Sequence, residues 1–162
     1  MKRFFVIFMI VCAAAGCTNG VQKSSGTDKA EVTAVSEKSV ECTTVVSSTE
    51  VDINKDGTED TVSLTTSAEK AGDEIIWDDS NIWCVYADIG DKTYELLNKR
   101  ISAGKVSYNI YENSSEKYVI TVTEESTASY IVTEFTFDDD KLQKKTVIDE
   151  NGINLVAASE NE

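Results

Sequence analysis

From about residue 41 onward the chain alternates apolar and polar positions in short runs, each closed by Gly, Asn, Asp or Ser. The clearest run is Trp83 to Ile89, where Trp83, Val85, Ala87 and Ile89 share one side and the residues between them the other. A period of two is the mark of a strand with one face buried. Cys42 to Val51 and Thr61 to Thr66 are β-branched, and Thr93 to Leu97 returns from a turn at Gly90-Asp91. Val106-Tyr108-Ile110 and Tyr118-Ile120-Val122 are separated by the polar stretch Glu112 to Glu116. Tyr130 to Phe137 is the longest strand expected, and Asp138-Asp139-Asp140 turns it into Lys141 to Ile148. Asn151-Gly152 predicts a last hairpin into Ile153 to Val156. A short helical interruption is expected only over Leu96 to Ser102. About eight or nine such strands predict an all-β fold: one small antiparallel domain built as a meander, a sandwich or blade-like sheets.

Upstream the pattern differs. Met1-Lys2-Arg3 is basic, and Phe4 to Ala15 is an unbroken run of twelve small or apolar residues. Twelve residues cannot span a hydrocarbon core of about 30 Å, but they suit the apolar part of a secretory signal. The run ends in Ala14-Ala15-Gly16-Cys17, which resembles a bacterial lipobox, with Ala14 where leucine is more usual. That resemblance implies that residues 1–16 are removed and that Cys17 is acylated as the new N-terminus. Stable anchoring needs more than one acyl chain, as lipoproteins of this kind carry. The alternative is plain signal cleavage after Ala15. From Thr18 to Val40 no period of 2 or 3.6 is sustained, so residues 17–40 read as a flexible, lipid-anchored linker, or at most a frayed helix over Asp28 to Lys38. The β domain then covers 41–157 and a frayed tail 158–162. The implied location is extracytoplasmic, on the cell membrane or outer envelope.

Charge narrows the partners. The formal net charge is −14, and loss of Lys2 and Arg3 makes it −16. Such a surface repels nucleic acid and anionic lipid, so no nucleic-acid partner is expected, whereas cations are drawn to it. The chain has no histidine, which excludes Ser-His-Asp and Cys-His catalysis and His-ligated zinc or iron. It has no proline, so its turns rely on Gly, Asn, Asp and Ser.

Between the first two expected strands lies Asp52-Ile53-Asn54-Lys55-Asp56-Gly57-Thr58-Glu59-Asp60. Oxygen-bearing side chains recur at alternate positions, and a glycine stands where the loop must turn, the spacing a hard cation needs. The first half looks like an EF-hand loop, but the twelfth position is Ser63 and the flanks are β-branched. The closer resemblance is to the D-x-[DN]-x-D-G-x-x-D loop of FG-GAP and integrin-type repeats, which joins two antiparallel strands. That resemblance implies a structural calcium ion held by the side chains of Asp52, Asn54, Asp56 and Asp60 and by the carbonyl of Thr58. The alternative is a plain turn at Asp56-Gly57 with solvated acids. The loop occurs once, and the domain is too short for four blades of about 40 residues, so a complete propeller does not follow.

Of the four cysteines, Cys12 would leave with the signal and Cys17 would carry lipid. Cys42 and Cys84 can then pair in an exported protein, or pack unpaired as small hydrophobes. Trp77 and Trp83 bracket Asp78-Asp79-Ser80-Asn81-Ile82, a setting for stacking on sugar rings or for ordinary hairpin packing. Asp78-Asp79 and Glu124-Glu125 are no catalytic dyads if they lie on strands, because neighbours there face opposite ways. The sequence therefore suggests a non-enzymatic binding or interaction module with a protein or glycan ligand. The alternatives are a carbohydrate-active module using Trp77 and Trp83, and an accessory or inhibitor-like protein of a neighbouring enzyme or transporter.

Overall fold

Period-two runs become strands because each can bury one face, and the computed structural model, which describes residues 29–154, forms twelve of them. In chain order they are β1 (Ala30–Val32), β2 (Ala34–Val35), β3 (Thr44–Val51), β4 (Asp60–Thr66), β5 (Glu69–Ala71) and β6 (Glu74–Ile76). The rest are β7 (Ile82–Ile89), β8 (Lys92–Arg100), β9 (Gly104–Glu112), β10 (Tyr118–Ser126), β11 (Ser129–Asp138) and β12 (Lys141–Asn151). One five-stranded sheet has the order β1-β12-β11-β10-β9, a second β2-β8-β7-β4-β3, and β5 pairs only with β6. All pairings are antiparallel, and no helix occurs among the described residues. The all-β, antiparallel class expected from the alternation is what forms.

The two large sheets share one core. Val62, Leu64, Val85, Ala87 and Ile89 of the second sheet meet Ile120, Val122, Phe135 and Leu142 of the first. Each of these side chains except Ala87 contributes about 1.5–3 kcal/mol on burial, which makes this contact the main source of stability. The chain crosses between sheets through residues 101–103, with Ile101 buried and Ala103 at φ 47°. Gly104 follows because a Cβ there would sit 2.3 Å from the carbonyl oxygen of Glu125. At the far edges Tyr108 closes the gap, donating to the Val62 carbonyl at 3.2 Å and sharing a hydrogen bond with the Thr49 hydroxyl at 2.8 Å.

The N-terminal part departs from expectation. Residues 29–40 are not tether or frayed helix: β1 pairs with β12 and β2 with β8, so one extended segment borders both sheets. The segment after β2 then crosses the outer face of the second sheet. There Lys38 Nζ meets Asp88 Oδ2 at 2.7 Å, and the Ser39 N–H donates to the Tyr86 hydroxyl at 2.8 Å. Cys42 is joined to Cys84 by a disulfide. This strap lies over β7, which is buried on both faces. Strands of only two or three residues at a sheet edge satisfy backbone groups but are too short to show a period in the sequence, even though Val32 packs against the core.

Three smaller corrections follow. Leu96 to Arg100 continue β8 as strand and do not turn helical. The β5–β6 hairpin, largely exposed, is an excursion between β4 and β7 that alternation did not predict. After Asn151-Gly152 the Ile153 N–H bonds the Ala128 carbonyl at 3.2 Å, and Ile153 and Asn154 lie in no strand. The expected signal, Cys17, the linker up to residue 28, the far end of the Ile153 to Val156 strand and the tail 158–162 all lie outside the described residues.

Candidate functional site

The acidic loop is the β3–β4 connection, with Val51 and Asp60 as the last pair of the ladder. Its course requires left-handed backbone at Lys55 (φ 58°) and at Gly57 (φ 92°), and glycine alone adopts that region freely. The side chains of Asp52, Asn54 and Asp56 fold inward onto the loop's own N–H groups. Asp52 Oδ1 and Asn54 Oδ1 both accept the Asp56 N–H, each at 3.0 Å. Asp52 Oδ2 accepts from Gly57 N at 2.9 Å, and Asp56 Oδ1 from Thr58 N at 2.8 Å. Asn54 Nδ2 donates to Asp56 Oδ2 at 2.8 Å. That amide, and next the Thr58 N–H, hold the Asp56 carboxyl below its ordinary range. The loop's own cation points elsewhere: Lys55 Nζ meets Glu112 Oε1 at 2.6 Å and lies 5.1 Å from the centre of the Tyr118 ring. The Glu112 contact raises the Lys55 pKa above its usual 10.5.

Asp60 has another task. It is 3% exposed, and its Oδ2 accepts from Ile53 N at 2.9 Å and Asn54 N at 3.3 Å. Its Oδ1 accepts from Gly90 N at 2.9 Å, in the turn between β7 and β8. Charge-assisted bonds of this kind offset the cost of burying a carboxylate. Asp60 thus fixes both the start of the loop and its neighbour turn, while Oδ1 keeps a lone pair beyond its single partner.

Calcium fits part of this set. Among the described residues no three carboxylates or thiolates come together as a metal cage. Asp52 Oδ1 and Asn54 Oδ1 converge on one N–H, and the Asp56 carboxylate is tied to the Asn54 amide beside them. This set of two carboxylates and one amide is hard-cation chemistry with a modest charge count. The fourth acid of the motif, Asp60, is already bound to three N–H donors.

Trp77 and Trp83 lie together, but not side by side as two open platforms. Their rings stack on each other, with centroids 4.9 Å apart and planes 13° apart. Trp83 is 5% exposed beneath Trp77, which is 50% exposed. Beside them runs a cleft lined by Trp77, Asp78, Asp79, Trp83, Gly104 and Lys105, among others. Asp78 Oδ1 accepts from both the N–H and the hydroxyl of Ser80, which keeps its carboxyl below the ordinary value of 3.8.

The other paired and clustered acids of the sequence have structural roles. Glu124 meets Lys99 at 2.7 Å and Glu125 meets Lys105 at 3.8 Å, two separate ion pairs. Asp139 and Asp140, at φ 50° and 60°, make the tight β11–β12 turn, whose two positive φ angles suit a hairpin of right-handed twist. Sequence reasoning missed the anchoring role of Asp60, although the signal was there: counting back by two from Leu64 and Val62 puts Asp60 on the core side of β4. It also missed the strap, which carries no pattern to read. No protein-family model matches the chain, and no curated protein or solved structure matches it either.

Proposed function

We propose that the chain is a lipid-anchored binding module of the cell envelope, without enzymatic activity, whose β3–β4 loop takes a structural calcium ion. The observation that carries the calcium reading is the convergence of Asp52, Asn54 and Asp56: two of their oxygens share a single N–H donor. A cation would be held there by those three side chains and the Thr58 carbonyl, with Asp60 as the residue that positions the loop. It would neutralise clustered charge and pin one hairpin. Few, mostly monodentate ligands imply an affinity on the order of 10⁻⁴ to 10⁻³ M, and calcium is preferred to magnesium, which demands stricter octahedral geometry.

The anchor reading is carried by Phe4 to Cys17, and the strongly acidic surface makes lipid, not charge, the means of holding a membrane. The absence of histidine and the engagement of Glu124 and Glu125 in ion pairs support a binding role. Titration calorimetry of the folded protein with calcium chloride tests the first part, with one site in the stated range expected. Heat from magnesium equal to that from calcium contradicts it. Mass spectrometry of the mature N-terminus tests the second part. A diacylated or triacylated Cys17 is expected, and an unmodified start at Gly16 contradicts it.

A further inference from the structure

We infer that the cleft beside Trp77 binds a neutral saccharide, with the indole of Trp77 as the platform for one pyranose ring. This sharpens the binding-module reading by naming its ligand, and it rests on different residues from the calcium loop.

The first argument is the state of Trp77. An indole at the surface is ordinarily mobile, but here one face lies flat on the buried ring of Trp83 at 4.9 Å. That stack fixes the plane of Trp77 while half of its surface stays exposed to the cleft. A large apolar group held rigid and left in water is suited to a ligand with a flat apolar patch. The C–H face of a pyranose is such a patch.

The second argument is the polar lining. Asp79 offers acceptor oxygens to sugar hydroxyls, and Lys105, whose ammonium faces Glu125 at 3.8 Å, has further N–H donors for hydroxyl or ring oxygens. Asp78 is turned to Ser80, which holds the backbone of this rim in place. Both charge signs are present at the same opening, so a cationic ligand meets Lys105 and an anionic one meets Asp78 and Asp79. A neutral ligand rich in hydroxyls meets neither objection. The cleft, of about 720 Å³, falls in the range of small-molecule sites.

The third argument is rigidity at Gly104, which also lines the cleft. Gly104 begins β9 at the sheet-crossing corner, where it touches Glu125 and Ile101 too closely for any side chain. At Gly104 the lining of the cleft is therefore backbone held in place by its neighbours, as preorganised binding requires.

The test is calorimetry of the folded protein against N-acetylated chito-, cello-, malto- and xylo-hexaoses, with deacetylated chito-hexaose and a galacturonate hexamer as charged controls. Saturable binding to at least one neutral hexamer is expected, weakened tenfold or more in Trp77→Ala. Because Trp77→Ala also uncovers Trp83, Asp79→Asn and Lys105→Ala serve as variants that keep the stack, and each is expected to weaken binding several-fold. A response to no neutral hexamer overturns the inference. So does binding only to a charged control, or binding unchanged in all three variants. Calcium affinity, measured in parallel, is unaffected by these variants, so failure of the saccharide site and failure of the calcium reading are told apart.

Discussion

The Gly90 N–H donates to the buried carboxylate of Asp60 at 2.9 Å, so one side chain ties the acidic loop to the turn between β7 and β8. The same carboxylate holds the Ile53 and Asn54 N–H groups. Asp60→Ala leaves three N–H donors without their partner. The expected loss is about 2–4 kcal/mol, since each buried donor left unpaired costs on the order of 1–3 kcal/mol and water can reach part of the loop. Urea unfolding of the variant measures it, and a loss below about 0.5 kcal/mol would be that of an ordinary surface change.

The disulfide between Cys42 and Cys84 spans 42 positions of the sequence and fastens the strap to the outer face of the second sheet. Chain-entropy reasoning for a closed loop of that length gives about 4 kcal/mol. Reduction is expected to lower the urea midpoint accordingly and to speed exchange of the Ser39 amide, whose partner is the Tyr86 hydroxyl. Superimposable unfolding curves with and without reductant would contradict this account.

Gly104→Ala tests the corner where the chain changes sheets. The added Cβ would lie 2.3 Å from the Glu125 carbonyl oxygen and 2.6 Å from a methyl of Ile101. Neither can retreat cheaply, because one is backbone and the other is core. Overpacking of this kind costs about 1–3 kcal/mol. An unchanged midpoint would mean that the corner is looser than its geometry.

The pH dependence follows from opposite shifts at the two ends of the scale. Asp56, Asp78 and Asp138 are held below 3.8, chiefly by Asn54, Ser80 and Lys117 respectively. A lowered carboxyl stabilises the fold above its unfolded value and loses that contribution as pH falls through the folded one. Lys55 and Lys141 are raised above 10.5, chiefly by Glu112 and Glu31, so their contribution is complete below 10.5 and lost above it. From these groups the melting temperature is expected to hold level between about pH 5 and pH 10 and to fall on either side. A steady decline from pH 7 to pH 5 would contradict that assignment.

Much of the fold was legible because burial on one face imposes a period of two. Trp83, Val85, Ala87 and Ile89 announce β7, and Gly90-Asp91 announces the turn after it. What escaped carries no such period. β1 and β2 are three and two residues long and lie at sheet edges, too short for a period of two to be read. Residues 36–43 are held by a hydrogen bond, an ion pair and a disulfide to partners about forty to fifty positions away, which local pattern cannot show. The site was half legible. The spacing of Asp52, Asn54, Asp56 and Asp60 singled out the loop, but a motif does not show that the buried Asp60 also braces it against the Gly90 turn. The two tryptophans were recognised as a pair, yet only coordinates show that one ring covers the other.

We propose that calcium held by the loop from Asp52 to Asp60 staples the fold. The most direct test is the melting temperature in about 10 mM calcium against chelator, for the native protein and for Asp52→Ala and Asp56→Ala. With an affinity near 10⁻⁴ to 10⁻³ M, binding stabilises by roughly 1.4–2.7 kcal/mol, or about 5–10 °C for a domain of this size. The account predicts that rise in the native protein and its absence in both variants. Identical melting temperatures with calcium and with chelator in the native protein would contradict it.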